Sequence, residues 1–208
     1  VSHPDRDHYE GLIALLEDDV KVSNLYLRIP PQRLCDGKIP RGCDIEDVKR
    51  LIAIANKHGV SIHRPSTGFS LRLPNDSNIE VLHAQENDLR KINATVNDLS
   101  LIMKWTINEV TVLFTGDLGF NVGTLLSDDG RIESDIMKMP HHGGTPVAPN
   151  SFFNRVNPDY VLVPSPKWVW CGDRGKRPRQ WVDKKGIPVW VNGVNGHLQV
   201  TFYKEKTA

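Results

Sequence analysis

The sequence opens with a dense run of side chains that can bind metal ions, Val1-Ser2-His3-Pro4-Asp5-Arg6-Asp7-His8. The ligand candidates are His3, Asp5, Asp7 and His8, and Ser2 can supply a hydroxyl just outside this set. Because imidazole and carboxylate groups are costly to desolvate without compensation, this density favours bound cations. Pro4 and the irregular spacing predict a loop, on which consecutive side chains can converge on two neighbouring ions.

Three later segments carry further polar residues next to apolar stretches. They are Asn97-Asp98-Leu99-Ser100, Leu113-Phe114-Thr115-Gly116-Asp117 and Lys138-Met139-Pro140-His141-His142-Gly143. In this order the motifs resemble the metallo-β-lactamase superfamily, whose first motif is His-x-His-x-Asp-His; here Asp5 stands at the second His. That variant is similar to the ComEC-like branch, the C-terminal domain of DNA-internalisation proteins. The resemblance extends from residue 1 to about residue 163.

The resemblance implies a metal-ligand set of His3, Asp5, Asp7, His8, Asp117 and His142. His3 and Asp5 would serve a first ion, Asp7, His8 and His142 a second, and Asp117 would bridge both. His141 would lie near the substrate, although the roles of the two adjacent histidines can also be exchanged. The predicted catalytic residues are therefore Asp7, Asp117 and His141. Any one of these residues could instead be an ordinary surface charge or a core histidine. That alternative explains poorly why several separated segments match the family motifs together.

The set departs from the family pattern at two positions. A third His of the first site would fall near Asn97, whose amide oxygen is a weaker ligand, and Asp5 adds an oxygen ligand. Oxygen ligands favour harder cations, so two divalent ions are expected, Zn²⁺ or Mn²⁺, with Mg²⁺ also compatible.

Paired cations of this kind suit phosphodiester hydrolysis by a metal-activated hydroxide. The first hypothesis is thus a two-metal phosphodiesterase or nuclease with nucleic acid as its substrate. A hydrolase of small esters or phosphoesters is the second. The third is a metal-binding but inactive domain of a larger multi-protein or multidomain assembly.

A basic and aromatic segment follows the motifs and bears on this choice. Trp168, Trp170, Trp181 and Trp190 are interleaved there with basic side chains, and such a pattern can follow phosphates and stack on bases. The candidate nucleic-acid contacts are Lys167, Arg174, Lys176, Arg177 and Arg179. A solvated basic loop beside core tryptophans explains the same pattern equally well.

The composition is that of an ordinary globular chain. The 208 residues suit a single domain, 39% of them are hydrophobic, and the net charge of +1 excludes a strongly polycationic protein. No apolar run is long enough to span a membrane. Three cysteines without zinc-type spacing, Cys35, Cys43 and Cys171, favour free thiols in the cytoplasm over a disulfide.

Hydrophobic periodicity predicts an α/β fold. Helices are expected over 10–18, 45–57, 122–126 and 180–185, strands over 22–29, 60–63, 69–73, 79–83, 99–106, 110–115, 136–139, 160–164, 189–191 and 198–203, and a loop over 30–42. Asn108-Glu109 is expected to form a hairpin turn. With the resemblance, this predicts one αββα sandwich domain over residues 1–208. Because family members place strands before the metal motif, we expect those N-terminal strands to be lacking here.

Overall fold

A computed structural model describes residues 1–29, 45–84 and 95–203, and shows a mixed α/β protein. The helices are α1 (Glu10–Glu17), α2 (Ile45–Lys57), α3 (Phe120–Leu126), α4 (Asn150–Val156), α5 (Lys167–Trp170), α6 (Lys176–Lys185) and α7 (Asn192–Asn195). The strands are β1 (Asn24–Tyr26), β2 (Ser61–His63), β3 (Ser70–Leu73), β4 (Ser77–His83), β5 (Ile102–Ile107), β6 (Val110–Phe114), β7 (Ile136–Lys138), β8 (Tyr160–Val163) and β9 (Val189–Val191). Short 3₁₀ turns include Arg6–His8, Asn97–Leu99, Pro140–Gly143 and Asp173–Gly175.

Two sheets organise the described part of the chain. Strands β1 and β2 pair in parallel, and β3 to β9 form a seven-stranded sheet in sequence order. Its pairs from β3 to β6 are antiparallel, whereas those from β6 to β9 are parallel. Asn108 and Glu109, both at positive φ, form the predicted two-residue turn between β5 and β6.

Each sheet is stabilised by helices packed on it. Leu113, Met137 and Val161 of the large sheet belong to one buried cluster with side chains of α3, α4 and α6, among them Phe152 and Phe153. A second cluster joins α1, α2 and β1 through residues that include Ile13, Leu16, Leu25, Leu51 and Ala55. The predicted α/β class is confirmed, and two helix-covered sheets are consistent with an αββα sandwich.

Most predicted elements are present with changed bounds, and the helices α4, α5 and α7 were not predicted. The strand predicted over 22–29 shortens to β1, and the strand predicted over 99–106 is observed as β5, which starts at Ile102 after the 3₁₀ turn Asn97–Leu99. The strand predicted over 198–203 is wrong: this segment has no ladder hydrogen bonds, and Phe202 instead packs its ring against Trp105 at 5.4 Å between ring centroids. The alternating apolar residues therefore reflect packing against the face of the sheet and not pairing with one of its strands. The loop over 30–42, with Cys35 and Cys43, lies outside the described residues.

The parallel half of the large sheet positions the candidate site. The segments leaving β6, β7 and β8 carry Asp117, the pair His141-His142, and α5, respectively. Parallel strands present their carboxyl ends at one edge, where open α/β sheets bind ligands. No helix within the described ranges is long and apolar enough to cross a membrane.

Candidate metal centre

Asp117 is held at the end of β6 by a tight turn. Gly116 has φ of 51°, and a Cβ added there would lie 2.5 Å from Ser100 Oγ, so only glycine fits without displacement. The same Ser100 Oγ accepts a hydrogen bond from the Asp117 backbone N–H at 2.9 Å. Asp117 is itself only 3% exposed, so its carboxylate needs charged or polar partners.

The two adjacent histidines follow β7 in a strained turn. His141 and His142 both have positive φ, 48° and 54°, a conformation that non-glycine residues seldom adopt. The carbonyl of Pro164 accepts from His142 Nδ1 at 2.6 Å, which turns Nε2 of this ring to within 3.2 Å of Asp7 Oδ2 and 3.3 Å of Asp117 Oδ2. A backbone carbonyl on one ring nitrogen is the usual way to orient a histidine that binds metal through the other.

The opening loop supplies the remaining groups. Ser2 Oγ lies 3.1 Å from His3 Nδ1 and 3.4 Å from His8 Nδ1, as expected for a hydroxyl just outside the ligand set. His8 Nε2 is 3.2 Å from Asp117 Oδ1, and His3 Nε2 is 3.5 Å from Asp5 Oδ2. The 3₁₀ turn Arg6–His8 thereby places His8 next to Asp117, which follows β6.

These contacts bring four predicted ligands into one cluster. Asp7, His8, Asp117 and His142 each place one ligand atom within 4.8 Å of the others. Among the described residues, the buried Nε2 atoms of His3, His8 and His142 have no partner of ideal hydrogen-bonding geometry, although carboxylate oxygens lie 3.2 to 3.5 Å away. Imidazole nitrogens beside carboxylates offer the lone pairs that a divalent cation needs, once any proton they carry is displaced. The residues therefore fit the predicted metal.

The other predicted site residues lie around this cluster. His3 and Asp5 form a neighbouring pair. His141 stays outside the four, since its Nδ1 meets the carbonyl of Pro146 and its Nε2 is 4.0 Å from Asp117 Oδ2. Asn97 approaches His141, with Nδ2 3.4 Å from Nε2. The roles of all these residues remain predictions.

Lys138, the last residue of β7, lies beside Asp117, although the sequence motifs predicted no role for it. Its Nζ donates to the Gly116 carbonyl at 2.6 Å and lies 3.4 Å from Asp117 Oδ1. Burial lowers the pKa of Lys138, against the opposing influence of Asp117. A lysine at the end of an otherwise apolar strand, three residues before His141, was the only signal in the sequence.

Strong electrostatic coupling links the clustered groups. Burial alone would raise the pKa of Asp117, but contacts with His142 and His8 hold it far below its usual range. Asp117 and then Asp7 raise the pKa of His142 to about 10. Without metal, His142 is therefore protonated at neutral pH and forms an ion pair with both carboxylates.

This proton predicts a pH dependence of metal binding. A ligating histidine must be neutral, so a cation has to displace the proton from His142. We expect the apparent affinity to rise by about tenfold per pH unit between roughly pH 7 and pH 9, with one proton released. Calorimetry in buffers of different ionisation enthalpy counts that proton, and an affinity independent of pH would contradict the coupling. The stability of the metal-free protein depends on pH in the opposite direction. Because the pKa of His142 is raised on folding, stabilisation from this ion pair is complete below about pH 6.5 and is lost as pH rises through about 10.

A cavity of about 320 Å³ opens onto the cluster. Its lining residues are Asp5, Asp7, Asp117, His141, His142, Pro166, Trp168, Val169 and Arg174. Trp168 is 70% exposed, while Arg174 borders the cavity with its Nε donating to the Thr145 carbonyl at 3.2 Å. Two members of the basic and aromatic segment thus lie beside the predicted metal ligands.

The remaining predicted nucleic-acid contacts divide into two kinds. Lys167 and Lys176 are exposed. Arg177 donates to the carbonyls of Val147 and Ala148 at 2.7 Å each, and Arg179 donates to the Trp170 carbonyl. Guanidinium groups engaged with backbone carbonyls stabilise the loop, so Arg177 and Arg179 have structural contacts that the sequence pattern did not reveal.

Comparison with known proteins gives little further information. No protein-family model matches the chain, and no curated protein matches it. Among solved structures, it is similar to a protein from Parabacteroides distasonis described as a metal-dependent hydrolase, with 12% sequence identity and a TM-score of 0.43. The match covers 68% of this chain and 61% of that one. A likeness at this level supports no inference about activity.

Proposed function

We propose that this protein is a metal-dependent hydrolase that cleaves phosphodiester bonds in nucleic acid. The observation that carries the proposal is the cavity in which Asp7, Asp117 and His142 of the four-residue cluster lie beside Arg174 and Trp168. A cation site alone suits many hydrolases. An adjacent guanidinium and exposed indole add groups that bind phosphate and stack on a base. The sequence resemblance to the ComEC-like branch also favours nucleic acid and remains a prediction.

The chain would hold its cations with the two groups of residues described above. Asp7, His8, Asp117 and His142 would bind one ion, while His3 and Asp5 would serve a second that shares Asp117. Imidazole and carboxylate ligands suit Zn²⁺ and Mn²⁺. Bound cations would lower the pKa of water and stabilise negative charge on phosphoryl oxygens.

His141 is the residue we propose to handle a proton. It lines the cavity, and its Nδ1 faces the Pro146 carbonyl, so Nε2 is the nitrogen directed towards Asp117 and Asn97. A protonated Nε2 at this position can donate to the leaving oxygen when the phosphorus–oxygen bond breaks. Asn97 Nδ2 can donate to Nε2 once this nitrogen has given up its proton, and so would hold the neutral ring in place.

The substrate assignment is tested with Trp168→Ala and Arg174→Met. Loss of stacking should weaken binding of single-stranded DNA by about 1–3 kcal/mol per base, or roughly 5- to 150-fold. Loss of one phosphate contact should reduce the log–log salt slope by about 0.7. Fluorescence anisotropy over a salt series measures both effects, and cleavage of labelled strands is followed in parallel.

Matched controls are Trp190→Ala and Arg64→Met, exposed side chains that do not line this cavity. All four variants should retain hydrolysis of bis(p-nitrophenyl) phosphate, which lacks a base. If Trp168→Ala and Arg174→Met bind and cleave strands as the wild type does, the proposal fails for nucleic acid. The protein would then be a hydrolase of small phosphoesters, since a substrate of that size fits the 320 Å³ cavity. A metal-loaded protein that hydrolyses neither substrate would support an inactive metal-binding domain.

A further inference from the structure

Lys138 contacts the metal cluster without lining the substrate cavity. Its amino group contacts Asp117 Oδ1 and the Gly116 carbonyl, but Lys138 does not line the cavity that contains Trp168 and Arg174. It lines instead a separate, largely apolar cavity of about 740 Å³ on the sheet, with Phe114, Ile136 and Leu162. Lys138 therefore contacts the carboxylate from outside the cavity proposed to hold the substrate.

The same amino group joins the two turns that carry the site. The Gly116 carbonyl accepts from Lys138 Nζ at 2.6 Å and from the His141 backbone N–H at 3.3 Å. Thr115 Oγ1, next to Gly116, donates back to the Lys138 carbonyl at 2.7 Å. The turn before Asp117 and the turn through His141-His142 are thus tied together at one point.

We propose that Lys138 is a positioning residue that fixes the Asp117 carboxylate and the His141-His142 turn in the geometry that binds metal. The inference rests on the proposed metal centre and goes beyond it, because Lys138 is not a ligand candidate. Asp117 Oδ1 is shared by Lys138 Nζ and His8 Nε2, at 3.4 and 3.2 Å, so the lysine restricts the directions in which this oxygen can point. A partner that orients a ligand in this way typically changes metal affinity by about 10- to 100-fold.

Titration of the metal-free protein with Co²⁺ tests the proposal without any substrate. Lys138→Met preserves the length of the side chain and removes its donor group. We expect a Co²⁺ dissociation constant about 10- to 100-fold higher than that of the wild type, together with an altered d–d absorption spectrum. A purely structural lysine would change the melting temperature of the metal-free protein but leave the spectrum of the bound ion unchanged.

Lys104→Met is the matched control. Lys104 also lies on the large sheet and donates to a backbone carbonyl, that of Glu133 at 2.6 Å, but has no contact with the cluster. It should bind Co²⁺ as the wild type does. Equal affinity and an identical spectrum in Lys138→Met would overturn the positioning role while leaving the metal centre intact.

Two other outcomes are also decisive. If Lys138→Met does not fold, as judged by circular dichroism, Lys138→Arg replaces it. A planar guanidinium keeps donors but cannot occupy the place of a compact amino group, so the Co²⁺ spectrum should shift with the fold retained. An unshifted spectrum with wild-type affinity would overturn the proposal. A wild type that binds no Co²⁺, Zn²⁺ or Mn²⁺ would overturn both this inference and the proposed function.

Discussion

Replacing Asp117 with alanine is expected to abolish hydrolysis and remove most of the bound metal. This carboxylate is 3% exposed and meets His8 through Oδ1 and His142 through Oδ2, so its loss opens the cluster on both sides. Because bound cations contribute several kcal/mol of transition-state stabilisation, turnover should fall by about 10³-fold or more. Elemental analysis of the purified variant and a steady-state rate measurement give the two results.

The same change should destabilise the metal-free protein. Without the carboxylate, Lys138 loses its counter-charge in a buried position, and His142 loses one of its two carboxylate partners. Removing one partner of a buried ion pair costs about 3–5 kcal/mol, which urea denaturation can measure. Asp183→Ala, an exposed carboxylate on α6, serves as the control and should change neither property. Full activity with wild-type metal content in Asp117→Ala would eliminate the proposed site of two ions that share Asp117.

Alanine substitutions of the two adjacent histidines are expected to have different effects. His142→Ala should lose bound metal, because His142 belongs to the four-residue cluster and its Nε2 faces both Asp7 and Asp117. His141→Ala should keep its metal and lose turnover by about 10²- to 10⁴-fold, the usual contribution of a proton donor. Metal content and the turnover number of each variant separate the two roles.

Two further measurements sharpen this comparison. A substrate whose leaving group needs no proton should restore much of the rate of His141→Ala, but not that of His142→Ala. His58→Ala is the control, since this imidazole lies at the end of α2, close to Asp19 and away from the cluster. Metal loss in His141→Ala with metal retained in His142→Ala would reverse the assignment.

Local sequence signals predicted much of the fold. The apolar periodicity from Ile45 to Lys57 gave α2 with its observed bounds, and Asn108-Glu109 gave the hairpin turn, because both depend on neighbours within a few residues. The segment over 198–203 shows the limit of such signals. Its apolar residues alternate, and Phe202 packs against the sheet, but the segment has no ladder hydrogen bonds. Alternation alone does not distinguish a paired strand from an unpaired segment that packs on a sheet.

The basic and aromatic segment illustrates a similar limit. Arg174, Arg177 and Arg179 look equivalent in the sequence, and each donates to a backbone carbonyl, yet Arg174 lines the metal cavity and Arg177 and Arg179 do not. Trp168 is exposed at the cavity, whereas Trp170 is buried two residues later. Which side of a loop faces a site depends on distant elements, so residue type alone could not assign these roles.

The sequence by itself determined the candidate ligands, because imidazole and carboxylate groups at such density indicate that cations bind. Only the tertiary structure decided how they combine. The parallel order of β6, β7 and β8 brings Asp117 and His142 to one edge beside Asp7 and His8, and leaves His141 outside the cluster. It also places Lys138 beside Asp117, a contact between residues 21 positions apart. Such contacts depend on strand order and on packing across the sheet, and a local pattern of residues carries no information about either.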